Sequence, residues 1–96
     1  MTTTMTISRS TTGEIWEIPM TGLICLNCID KLYDILDTPS HYDDDEYDSF
    51  IMAVSDTAEV LDRTPTNMPC SVGVTISIQN IKYQRYESYR VEFERG

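Results

Sequence analysis

The chain has 96 residues, 41% of them apolar, which is enough for one modest core and too little for a second domain. Sixteen Asp and Glu against seven Lys and Arg leave a formal net charge of -9, which argues against direct nucleic-acid binding or adhesion to an anionic membrane and points to basic partners. No segment approaches the roughly 18 continuous apolar residues of a membrane span, the opening MTTTMTISRSTTG has neither a basic nor an apolar leader region, and three cysteines cannot all pair within the chain; the expectation is a single cytoplasmic domain, residues 1–96, in a reducing compartment.

Residues 3 to 18 alternate loosely between apolar and polar on either side of RSTTG, as two short strands around a loop do, with Trp16 and Ile18 on one face. After Pro19 the spacing changes to Cys25, Ile29, Leu32 and Leu36, one helical face that Pro39 terminates, so a first helix is expected over roughly 22 to 37. A second helical face runs through Tyr47, Phe50, Ile51, Val54, Ala58 and Leu61, with Ser40 or Asp43 as N-cap and Pro65 just past the end. From Val72 the period falls to two, through Val74, Ile76 and Ile78, shifts by one near Asn80, and resumes at Ile81 and Tyr83; the shift predicts a bulge. Tyr89, Val91 and Phe93 alternate with charged residues in a last strand, paired with its predecessor across QRYES. The fold class is α+β, an antiparallel sheet of about four strands with two helices on one face, in the order ββααββ.

Charge is distributed unevenly. Residues 30 to 62 hold 11 acids against one base, Lys31, and five of those acids fall in the six positions from Asp43 to Asp48. At about 100° per residue, Asp30, Asp34 and Asp37 share a stripe on the first helix, and Asp45, Asp48, Asp56 and Glu59 share one on the second, interrupted by Met52 and Ser55. Asp43, Asp44, Asp45 and Glu46 suit the positive end of a helix dipole. Asp34, Asp37, Glu59 and Asp62 stand toward C-terminal ends, where a carboxylate costs a few tenths of a kcal/mol, so helix stability does not place them. Only Lys31 and Arg63 are spaced to neutralise any of this. Nine of the 11 are Asp, whose short side chain holds its charge close to the backbone at low entropic cost.

A rigid acidic surface can compete with DNA for a basic groove, since duplex DNA presents one phosphate charge per roughly 1.7 Å. On HYDDDEYDSF and SDTAEVLD, together with its size, acidity and single-domain organisation, the chain resembles the small acidic anti-CRISPR proteins of phages and mobile elements, most closely those that inhibit type I-F surveillance complexes by imitating DNA. The resemblance implies a non-enzymatic inhibitor in the bacterial host cytoplasm. It implies a partner surface at the DNA-entry side of the crRNA-guided complex, on basic residues of its large and backbone subunits. The residues expected to meet that partner are Asp30, Asp34, Asp37, Asp43, Asp44, Asp45, Glu46, Asp48, Asp56 and Glu59. The alternative is a regulatory adaptor docking through its sheet and the tyrosine-rich C-terminal strands, where Tyr83, Tyr86 and Tyr89 interleave with Lys82, Arg85 and Arg90.

Other patterns carry less. CLNC has the spacing of a zinc half-site, yet it lies inside a helix and no second half follows, so Cys25 and Cys28 are read as packed thiols and no metal or cofactor is expected. DDDEYDSFIMAV departs from a calcium loop, with Tyr47 at a ligand position, no turn glycine and Val54 where the terminal Glu belongs. His41 is the only histidine, and no nucleophile-base pattern or phosphate loop accompanies it.

Overall fold

Alternation, helical spacing and turn residues build β1 (Thr3–Arg9), β2 (Ile15–Met20), α1 (Ile24–Ile35), a short 3-10 turn (Pro39–His41), α2 (Asp44–Arg63), β3 (Cys70–Asn80) and β4 (Arg85–Arg95). The computed structural model describes residues 2–36 and 39–96. Every strand pairing is antiparallel and the sheet order is β2-β1-β4-β3, so the strands and helices follow the expected ββααββ order. The last strand reaches the middle of the sheet because β4 pairs with both β1 and β3.

Register sets the core. Met5 lies opposite Ile18 and Phe93, and Ile7 opposite Trp16 and Val91, while Val72 and Val74 continue the same rows on β3. These side chains point to the face that α1 and α2 cover, where Met5, Ile7, Val91 and Phe93 are fully buried. The alternate residues Thr4, Thr6, Ser8, Glu17, Ser71, Thr75, Glu92 and Glu94 form the other, polar face, as antiparallel sheets with one solvated side do. The first loop closes on Gly13, whose φ of 72° only glycine adopts without strain.

The second helix buries the expected row, Tyr47, Phe50, Ile51, Val54, Ala58 and Leu61. The first differs in phase and extent. Its buried residues are Ile24, Cys28 and Leu32, with Leu36 just beyond, whereas Cys25 and Ile29 of the expected row are only partly buried. Both rows repeat with the same period, so spacing alone cannot choose between them. The choice is made by α2: Asp62 accepts hydrogen bonds from the backbone N–H groups of Ile24 and Cys25, both at 2.9 Å, and so sets where α1 starts and how it is turned. Helix α1 accordingly begins after Gly22, which takes φ 71°, and not at residue 22.

No bulge interrupts β3. All eleven of its residues pair with β4 in unbroken register, and the change of pattern at Asn80 is the end of the strand. Ile81 to Gln84 make the turn: the Asn80 side chain accepts from the N–H of Tyr83 at 3.0 Å and Gln84 takes φ 51°. Of QRYES, only Gln84 belongs to this connection; Arg85 to Ser88 are already in β4.

Candidate partner-binding surface

The structure divides the acids of residues 30 to 62 into two groups. Asp43 is the N-cap of α2, its side chain accepting from the N–H of Glu46 at 3.3 Å. Glu46 reaches across to β3 and accepts from the N–H of Gln79 at 3.2 Å. Glu59 is paired with Arg63 at 2.6 Å, one helical turn away. Asp62 holds the start of α1. Burial alone would raise the Asp62 pKa, but the amide bonds to Cys25 and Ile24 outweigh it and keep the carboxyl below its ordinary range. Asp62 thus stands near the C-terminus of α2 because it caps α1, whereas Glu59 makes only an exposed pair with Arg63, which contributes little.

The second group has no such employment. Asp30 and Asp34 on α1, and Asp44, Asp45, Asp48 and Asp56 on α2, are exposed. Among the described residues none of the six has an ion-pair partner or a hydrogen-bond donor to its side chain. Asp37, expected on the same stripe as Asp30 and Asp34, lies outside the described residues. Helical spacing arranges the six as two outward ridges, and the ridges hold something that charge counting missed. Leu26 (61% exposed) and Tyr33 (48%) flank Asp30 on α1, while Met52 (64%) and Val60 (53%) flank Asp56 on α2. Large apolar side chains interleaved with unpaired carboxylates suit a protein partner, which can cover both. Their signal in the sequence is their position opposite the core rows of the two helices.

The remaining candidates are accounted for by packing. Cys28 is fully buried, and burial pushes its thiol up to about 11. The Cys25 thiol is also raised, chiefly through its hydrogen bond with Asp62, and both shifts oppose the thiolate that metal or redox chemistry needs. Among the described residues, no three His, Cys, Asp or Glu side chains are placed to hold a metal ion. From Asp44 onward the acidic segment is helix, so its carboxylates radiate around an axis and do not converge as in a calcium loop. Among the tyrosines, Tyr83 and Tyr86 are exposed at the β3–β4 turn, where Lys82 and Arg85 lie over the Tyr83 ring, while Tyr89 is fully buried.

Tyr89 belongs to a cluster that sequence reading did not anticipate. Glu87 is 2% exposed, and its carboxylate accepts from the hydroxyls of Tyr42 (2.6 Å) and Tyr89 (2.9 Å) and from Asn80 (3.4 Å) and Arg85 (3.3 Å). Burial opposes the charge, but the hydrogen bonds from Tyr42, Tyr89 and Arg85 overrule it and hold the Glu87 pKa below the usual range. Burial also raises the Tyr42 and Tyr89 hydroxyls. Arg9, itself buried, lies 5.4 Å over the rings of both Trp16 and Tyr89. Period two puts Glu87 on the same inward face as Tyr89, Val91 and Phe93, but it does not reveal the donor Tyr42, which comes from a distant segment.

No family model matches this chain, and no curated protein or solved structure is significantly similar to it.

Proposed function

We propose that this protein is a non-enzymatic inhibitor that acts in the bacterial host cytoplasm by occupying a basic DNA-binding groove with its acidic helical layer. The complex best matched to that role is a crRNA-guided type I-F surveillance complex, whose large and backbone subunits would supply the lysines and arginines. One observation carries the reading: Asp30, Asp34, Asp44, Asp45, Asp48 and Asp56 are exposed on the two helices and, among the described residues, unpaired. Fixed charge on a helix costs little entropy to present, and it competes for groups that would otherwise neutralise phosphates. Leu26, Tyr33, Met52 and Val60 would add the apolar contacts that a DNA strand lacks.

The test is a band-shift titration of target DNA against the purified complex. Preloaded protein should exclude DNA, and the protein's own affinity should fall steeply with salt. A variant with Asp45, Asp48 and Asp56 reversed to Lys should fold and fail to compete. DNA that binds normally at saturating protein would sink DNA competition as the mechanism. A second reading, an adaptor docking through the sheet and its C-terminal strands, draws on exposed Tyr83 and Tyr86 beside Lys82 and Arg85. It predicts an interaction almost indifferent to salt and lost on replacing the two tyrosines by Ser.

A further inference from the structure

The two edges of the sheet are built differently. Edge strand β2 is six residues long and carries Glu17 and Pro19, both features that discourage another strand from pairing. Edge strand β3 has eleven residues, CSVGVTISIQN, with no charge, no proline and no bulge. It lies within the longest uncharged run of the chain, the 18 residues from 64 to 81. An edge of this kind is a template for strand addition, and proteins ordinarily blunt it.

Register shows which groups are open. The N–H of Gln79 turns outward to Glu46, and that of Ile81 turns outward to the carbonyl of His41 at 2.7 Å. In an antiparallel ladder alternate residues share this direction, so Ser71, Gly73, Thr75 and Ser77 also turn their N–H and C=O groups away from β4. Among the described residues, the segment around Tyr42 covers the strand only at its Asn80 end. Beside the uncovered part runs a groove of about 280 Å³, floored by Phe50, Ala53 and Ile76 and flanked by Ser49, Asp45 and Glu46.

We infer that the β3 edge takes up an extended segment of a basic partner by strand addition. Its main chain bonds to Ser71, Gly73, Thr75 and Ser77, with apolar side chains entering the groove and a Lys or Arg reaching Asp45 and Glu46. Charge selects this occupant over a second copy: two chains of net charge -9 joined edge to edge would bring two α2 helices side by side, each with its unpaired acids. The basic character of the partner rests on the proposed function, while the mode of binding is separate from it.

The probe is a decapeptide with Val and Lys in turn at every second position and Ser between them, so that Val and Lys project from one face toward the groove and its acids; the control has Glu in place of Lys, and each is added to the full chain and followed by backbone amide exchange. The Lys peptide should slow exchange at Gly73, Thr75 and Ser77 by about tenfold or more, and the Glu peptide should not. Ser77→Pro, which removes an outward N–H and no ladder bond, should abolish the protection. Ser49→Arg, on an exposed helix position that should fold normally, should do so by filling the groove. Binding of the Lys peptide without protection of these amides would overturn strand addition and leave the charge-based function standing. Edge amides already protected in the free protein, with a particle of twice the chain mass, would overturn it in favour of a second copy. Protection that survives Lys substitution of Asp45, Asp48 and Asp56 would count against the charge-based function while upholding the edge, except for the contact to Asp45.

Discussion

The carboxylates on the helix ridges and the carboxylate at the end of the sheet are the same functional group in opposite surroundings. Glu87 is buried and meets donors from Tyr42, Asn80, Arg85 and Tyr89, so its charge is held by the fold. Asp30, Asp34, Asp44, Asp45, Asp48 and Asp56 are exposed and meet none among the described residues. A carboxylate that the fold needs is recognised by its donors, and one without donors is free to serve a partner. Four of the 11 acids in residues 30 to 62 meet such donors, namely Asp43, Glu46, Glu59 and Asp62. The set of exposed acids without a donor among the described residues is smaller than the charge of the segment suggests.

The sharpest way to break the comparison is to remove the employed carboxylate. Glu87→Ala should destabilise the protein by about 3 kcal/mol, since it leaves buried hydroxyls and an amide without their shared acceptor. Urea denaturation would measure it, and a loss below about 1 kcal/mol would mean that the cluster is incidental. Asp62→Ala should cost less, about 1 to 2 kcal/mol, because it frees two N–H groups at a helix start as the loss of an N-cap does. Its particular signature is faster amide exchange at Ile24 and Cys25 with β4 unaffected.

Acid titration sharpens the same contrast. Glu87 and Asp62 both have folded pKa values below their ordinary ones. Each therefore contributes stability that is complete above the unfolded carboxyl range, near pH 4, and lost as pH falls through the folded value. Glu87→Gln should flatten that acid limb, so that its stability deficit against the parent shrinks between about pH 5 and pH 2. A deficit that stays constant over the range would show that the charge of Glu87 is not what the cluster holds.

Much of this architecture was legible from spacing alone: the ββααββ order, the first hairpin, the α2 core row from Tyr47 to Leu61, and Asp43 as one of two candidate caps. What was not legible depended on contacts between distant segments. The phase of α1 is set by Asp62, about 37 residues downstream of the N–H groups it binds, and no periodicity within α1 encodes that. The missing bulge has a related cause, since a one-residue change of pattern reads the same whether a strand kinks or stops, and only the pairing of Asn80 with Arg85 distinguishes the two. The inward direction of Glu87 follows from its period-two spacing with Tyr89, but the hydroxyl of Tyr42 that satisfies it comes from 45 residues away and leaves no local mark. On the two helices the converse held: exposure opposite a core row follows directly from helical geometry, so the exposure of Asp30, Asp34, Asp45, Asp48 and Asp56 was legible, and that of the apolar residues between them follows from the same geometry.

The smallest expected effect on stability is also the one that tests the ridges. Replacing Asp30, Asp34, Asp45, Asp48 and Asp56 by Asn removes five charges at once and no hydrogen bond in the fold. Each change should alter stability by less than about 0.5 kcal/mol, as exposed substitutions away from structural contacts do. Two opposing terms enter: relief of repulsion between like charges on neighbouring ridges favours the variant, and loss of charge near the positive end of α2 at Asp45 disfavours it. Repulsion involves all five residues and the dipole chiefly one, so the melting temperature should hold or rise slightly. The same variant should lose binding to a basic partner, and with it most of the salt dependence of whatever affinity remains. Stability held and binding lost would mark the ridges as surface kept for a partner. A fall in melting temperature comparable to that of Glu87→Ala would show that these carboxylates are structural after all, and the contrast between the two regions would disappear.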